Sequence, residues 1–307
     1  MKQPPDKVLF EEAATYLQIP VSYVEKDWFV TQAVSLISGV DISGFEIVFT
    51  GGTALSKAHG LLERFSEDVD FRVQVRDDQR NRKSLSNFRK SVVSALRKGG
   101  FSFADDQVRS QDENRFFSIL LPYESYFNKV VALRPYIQIE VTARDTQLPH
   151  IHRPVASFVS SVARQPPEVA SIACIDPAES AADKLSALAW RIPDRVRGGK
   201  YDDPSIVRHI HDLALLKDMA LAHDKFSALA KASMTEDSSR PKNMSELADM
   251  APRGRLELAV KILSEDVAYA TEYDEFVSTL SYAPTGKTPS YSAAVEAVGV
   301  LAKAVFS

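Results

Sequence analysis

Cysteine is nearly absent: Cys174 is the only one in 307 residues. That count excludes an internal disulfide framework and a cysteine-based zinc cluster. No stretch approaches the roughly 20 apolar residues that a membrane helix needs, and the amino terminus has no apolar signal core. The expectation is a cytoplasmic protein with no membrane partner. Positive charge is not in excess, since 37 Lys and Arg stand against 41 Asp and Glu and leave a formal net charge of −4. A nucleic-acid partner would therefore have to be met by a local patch rather than by the field of the whole protein. His150 and His152 form a His-x-His pair, but no third or fourth ligand follows at a metal-binding spacing, so both are expected in a loop. There is no internal repeat.

The informative stretch runs from Ile47 to Phe71. Apolar Ile47, Val48 and Phe49 end in Thr50-Gly51-Gly52-Thr53, a helical pattern follows, and Asp68-Val69-Asp70 opens a second strand. Residues two apart in a strand share a face, so Asp68 and Asp70 should project side by side. Adjacent carboxylates repel unless a cation lies between them, and magnesium would remove the conflict. Gly51 and Gly52 allow positive φ and close backbone approach to a ligand, while the following helix start offers free N–H groups to a phosphate. Lys57 lies four residues after Thr53 on the same helix face. Ser66 stands just before the carboxylates.

A strand ending in Gly-Gly-Thr, a helix and an Asp-x-Asp strand together resemble the nucleotidyltransferase fold of the DNA polymerase β type. The longer segments GGTALSK and RFSEDVDF are similar to the AbiEii/AbiGii toxin family, including the MenT-like toxins of type IV toxin–antitoxin systems. ESAADKLSALAWR and VRHIHDLALL extend the likeness, although Arg208-His209 stands where many relatives have Arg-Asp. The fold implied is α/β (α+β). A polymerase β-like nucleotidyltransferase domain with a mixed sheet would occupy residues 1–162, and a helical domain, 163–307, would complete the active-site cleft.

The resemblance also implies chemistry. Asp68 and Asp70 would hold Mg2+ in a two-metal arrangement, and a third carboxylate, Glu140, would serve either as a further metal ligand or as the base for the attacking hydroxyl. Gly51, Gly52, Thr53, Lys57, Ser66, Lys184, Arg191 and Arg208 would bind the nucleotide, Asp212 would position it, and Arg64 would hold its loop against the acidic pair. The substrate would be an NTP, with CTP or another pyrimidine nucleotide a candidate, and the acceptor an RNA, the 3′ end of tRNA. An antitoxin of AbiEi-like type would oppose the activity. The alternatives are a nucleotidyltransferase acting on a small molecule or protein, and a non-catalytic module that binds nucleotide or antitoxin.

The remaining pattern is coarser. Helices are expected over 6–17 and 22–38, the second capped by Ser22 and showing Glu25, Lys26 and Asp27 on its wet face. The stretch from Arg72 to Lys98 is the most basic and, beside the site, is where RNA phosphates would be sought. Strands are expected over 115–121, 135–142 and 154–160. In Ile137-Gln138-Ile139-Glu140-Val141 the alternation turns Glu140 to the polar face. Helical pattern begins near Pro166, with a clear start at Asp176-Pro177 and another at Asp203-Pro204. Residues 231–256 read as loop or broken helices, and 292–306 as a final helix.

Overall fold

The computed structural model describes residues 3–127, 133–284 and 286–307. The chain divides into two compact units. The first comprises residues 1–60 and 65–175, and the second comprises residues 61–64 and 176–307.

The first unit holds α1 (Lys7–Leu17), α2 (Val21–Ser38), β1 (Phe45–Thr50), α3 (Gly51–Lys57), β2 (Asp68–Val75), α4 (Arg82–Lys98), β3 (Val108–Gln111), β4 (Phe116–Pro122), β5 (Tyr136–Thr142), β6 (Ile151–Val155), α5 (Phe158–Val162) and β7 (Val169–Cys174). Its strands form one seven-stranded sheet in the order β3-β4-β5-β2-β1-β7-β6. The sheet is mixed, with β2 parallel to β5 and antiparallel to β1, and β1 parallel to β7.

Period-two alternation decides which side of the sheet is covered. Val69, Phe71 and Val73 of β2, Ile137, Ile139 and Val141 of β5, and Phe117, Ile119 and Leu121 of β4 are all buried. Helix α4 packs on this apolar side, where the ring of Phe88 stacks on Phe45 at 4.8 Å and meets Phe117 at 6.4 Å. Asp68, Asp70, Gln138 and Glu140 occupy the alternate positions and are half-buried on the opposite face. The basic helix α4 therefore lies behind the sheet from the carboxylates.

Helix α2 corrects two expectations. It begins at Val21 after Pro20 with no side-chain cap, and Ser22 is buried instead of capping. Glu25, Lys26 and Asp27 are not a wet face: all three are buried. Each has a partner distant in sequence, Glu25 accepting from Tyr126 N at 2.6 Å, Lys26 pairing with Glu67, and Asp27 pairing with Lys57. A helix enclosed along its length needs its charges paired. Residues 154–160, expected as a strand, are the end of β6 followed by α5, where Ser157 caps the helix by accepting from Ser160 N. Strand β7 occupies residues read as helical, so the first compact unit runs on to Ile175 rather than ending at 162. Cys174 at its end is fully buried, and burial pushes its thiol up to about 12, which leaves it inert as a nucleophile.

The second unit is helical: α6 (Pro177–Asp194), α7 (Val207–Ala222), α8 (Phe226–Glu236), α9 (Glu246–Asp249), α10 (Pro252–Glu265), α11 (Ala268–Leu280) and α12 (Tyr291–Phe306). Asp176 caps α6 by accepting from Ala178 N at 2.8 Å, with Pro177 in the first turn. Asp203-Pro204 opens a short 3-10 turn, and α7 begins at Val207.

Candidate nucleotidyltransferase site

The site in the first unit grows from the junction of β1 and β2. Thr50 ends β1 opposite Asp70, and Gly51 then turns the chain at φ +75°. A Cβ at Gly51 would lie 2.0 Å from Oδ2 of Asp70, so this residue is glycine both for its backbone conformation and because a carboxylate rests against its Cα. Helix α3 is only seven residues long. The Thr53 hydroxyl donates to the carbonyl of Asp68, which ties α3 to the start of β2 and commits that side chain to structure.

The parallel pairing of β2 with β5 sets the carboxylates. Asp68 is opposite Gln138, and Asp70 is opposite Glu140. Asp68, Asp70 and Glu140 therefore share one sheet face on adjacent strands, as the alternation in each strand implied. Two of these carboxylates already have partners. A guanidinium nitrogen of Arg134 pairs with Oδ1 of Asp68, and the Gln138 amide donates to Glu140 at 2.5 Å. Among the described residues no three or more His, Cys, Asp or Glu side chains are gathered closely enough to hold a metal ion. The donor chemistry, three carboxylates on one face, suits a hard divalent cation; the arrangement at Asp68 is neutralised by arginine instead.

Lys57 is not turned to the glycines. Its ammonium pairs with Asp27 and lies 5.2 Å from the centre of the Phe158 ring. Burial raises Asp27 above the ordinary carboxylate range against the pull of Lys57. Ser66 is half-buried just ahead of β2.

The helical unit gathers the other charged candidates around Asp212. Arg64 grips this carboxylate with two parallel hydrogen bonds of 2.7 Å, and Lys184 Nζ reaches Oδ2 at 2.8 Å. Arg64 thus pairs with Asp212 rather than bracing the Asp68–Asp70 loop. Burial works to raise Asp212, but the Arg64 and Lys184 cations overcome it and hold the group well below the usual carboxylate range. Burial lowers Lys184, with Asp212 opposing and the Arg64 charge adding to the depression. Arg191 pairs with Asp203 at 3.0 Å and stacks over Trp190, and Arg208 lies close enough to act on Lys184 electrostatically.

Two residues that local patterns could not supply stand beside Asp68. Arg134 precedes β5 and Glu67 precedes β2, and only the pairing of those strands brings them together. Glu67's place beside the Asp-x-Asp pair was the one available signal.

The sequence profile of the nucleotidyl transferase AbiEii toxin family, type IV toxin–antitoxin system, matches residues 42–297. The chain belongs to this family. The AbiEii match covers both units, and it makes the protein a nucleotidyltransferase of a toxin family. Among solved structures, the chain is similar to MenT4, a nucleotidyltransferase toxin from Mycobacterium tuberculosis H37Rv, with 16% identity, a TM-score of 0.50, and coverage of 95% of this chain and 98% of that one. At that identity the likeness shows the fold alone. No curated protein matches the chain.

Proposed function

We propose that the protein transfers a nucleoside monophosphate from an NTP to a hydroxyl at the 3′ end of an RNA, with tRNA as the acceptor, and that a cognate antitoxin restrains it. The observation that carries the chemistry is the Gly51 turn seated against Asp70, with Asp70 in register with Glu140 on the same sheet face. Pyrimidine nucleotide, tRNA and an antitoxin of AbiEi-like type enter from the family resemblance.

Asp68, Asp70 and Glu140 are the residues that would hold Mg2+, which when bound neutralises triphosphate charge and favours the attacking alkoxide. The backbone at Gly51 and Gly52 admits phosphate oxygens to close range because no side chain intervenes. If Glu140 serves as the base instead of as a metal ligand, it would take the proton of the acceptor hydroxyl as that hydroxyl's oxygen bonds to the α-phosphorus and the bond to pyrophosphate breaks. The resemblance gives phosphate contacts to Lys184, Arg191 and Arg208, and Asp212 fixes Lys184 through the pair seen in the helical unit.

A cleft of about 320 Å³ in the helical unit holds Trp190 and Tyr201 beside four cations, but Asp194, Asp202 and Asp203 line it as well and Arg191, Arg195 and Arg240 are paired with aspartates, so the RNA acceptor rests on the family resemblance. The deciding experiment incubates the purified protein with magnesium, total tRNA and each α-labelled NTP in turn, beside Asp68→Ala. Label on tRNA that requires Asp68 is the expected result and names the nucleotide. Label on protein or on a small molecule instead would move the acceptor while keeping the site.

A further inference from the structure

We propose that Arg134 is a counter-ion that occupies Asp68 in the nucleotide-free protein and yields that carboxylate when a divalent cation and a triphosphate bind together. The inference rests on the nucleotidyl-transfer reading and assigns a positioning residue to it.

The Arg134 guanidinium is held on three sides. Nε donates to Glu67 Oε1 at 2.6 Å, Nη1 to Gln138 Oε1 at 2.8 Å, and Nη2 to Asp68 Oδ1. Glu67 is a fixed partner, because its other oxygen takes the ammonium of Lys26 and, at 3.1 Å, the backbone N–H of Arg134 itself. Lys26 is fully buried and also donates to the carbonyl of Arg134 at 2.7 Å, so the backbone at Arg134 is anchored as well. Asp68 is thus an additional acceptor on a guanidinium that already has a carboxylate.

That asymmetry makes exchange possible. If Asp68 is taken by a cation, Arg134 keeps Glu67 and is not left as an unpaired buried charge. Its side chain is 33% exposed against 13% for Asp68, so the freed nitrogens meet solvent or a ligand. Arginine and a divalent cation repel each other at one carboxylate, so each excludes the other. A triphosphate reverses the sign of the problem, since its oxygens accept a guanidinium fork. Cation alone should bind weakly, and cation with nucleotide should bind cooperatively.

The test measures Mn2+ binding to the full-length chain from the resonance of free Mn2+, without nucleotide and then with an α,β-methylene triphosphate analogue. Arg134→Gln should bind Mn2+ alone about tenfold more tightly than wild type, within the usual range of coupling between ligands, and should gain less affinity when the analogue is added. Binding unchanged or weakened in the folded variant overturns the proposal. If Arg134→Gln does not fold, Arg134→Met decides, because it keeps an unbranched apolar stem and removes the charge that competes for Asp68. Tighter Mn2+ binding supports the exchange and wild-type binding overturns it. Asp68→Asn sets the background: binding that depends on Asp68 but not on Arg134 removes this inference alone, whereas no binding dependent on Asp68 in any version removes the metal reading with it.

Discussion

Asp212 is the residue whose charge the helical unit can least do without. It is fully buried and carries three hydrogen bonds from two cations, Arg64 and Lys184. Its folded-state pKa is depressed, so its contribution to stability is present in full above the unfolded carboxylate value, about 3.9, and is lost as pH falls below that value toward the folded one. Asp212→Asn keeps the shape and leaves two cations without their anion. Breaking a buried pair of this kind costs about 3–5 kcal/mol. Denaturant unfolding at neutral pH should show that loss, and between about pH 5 and pH 3 the wild type should lose stability more steeply than the variant. Parallel pH curves would mean that the charge of Asp212 is not what the pair depends on.

At the scale of elements, α4 makes the sharper prediction. Arg82, Lys83 and Lys90 are exposed on it, but its apolar residues pack on the sheet face opposite Asp68 and Asp70. Several neighbours in the basic stretch are already neutralised, Arg76 by Asp78, Arg80 by Asp145 and Arg97 by Asp105. Charge reversal at Arg82 and Lys83 should therefore leave RNA affinity and the slope of its salt dependence unchanged in a binding titration. A shallower slope would return this helix to the RNA path. The sequence made the stretch basic but could not say which side of the sheet it covers, because that depends on Phe88 meeting Phe45 and Phe117. Some local information was enough: alternation in β2 and β5 put Asp68, Asp70 and Glu140 on polar faces, and Asp176-Pro177 started α6, whereas the local cap signal at Ser22 failed because that residue is buried. The register that sets Asp70 beside Glu140 is a property of two strands far apart in the chain. For the same reason the buried charges of α2 looked solvated, since Lys26 and Asp27 are explained only by Glu67 and Lys57. Arg134 carried no signal, because its partner Asp68 is 66 residues away.

The whole molecule has a net charge of −4, and among the described residues no helix is long and apolar enough to cross a membrane. Growth arrest by a member of a toxin family can come from turnover or from sequestration of a target. These differ in stoichiometry. An enzyme working at about 1–10 events per second modifies on the order of a thousand acceptors within minutes, whereas a binding module must match its target molecule for molecule. Expression titrated from a tightly controlled promoter should therefore arrest growth while the protein is far scarcer than its acceptor. Asp68→Ala should abolish the arrest at every level of expression, with circular dichroism and soluble yield showing that the variant still folds. Arg134 sharpens the comparison, because Asp68→Ala also frees its guanidinium while Glu67 continues to hold it, which keeps that charge paired. Arrest by the folded variant at the same low level would sink the catalytic explanation. Arrest only at amounts approaching those of the acceptor, in both forms, would identify a binding module built on a nucleotidyltransferase fold.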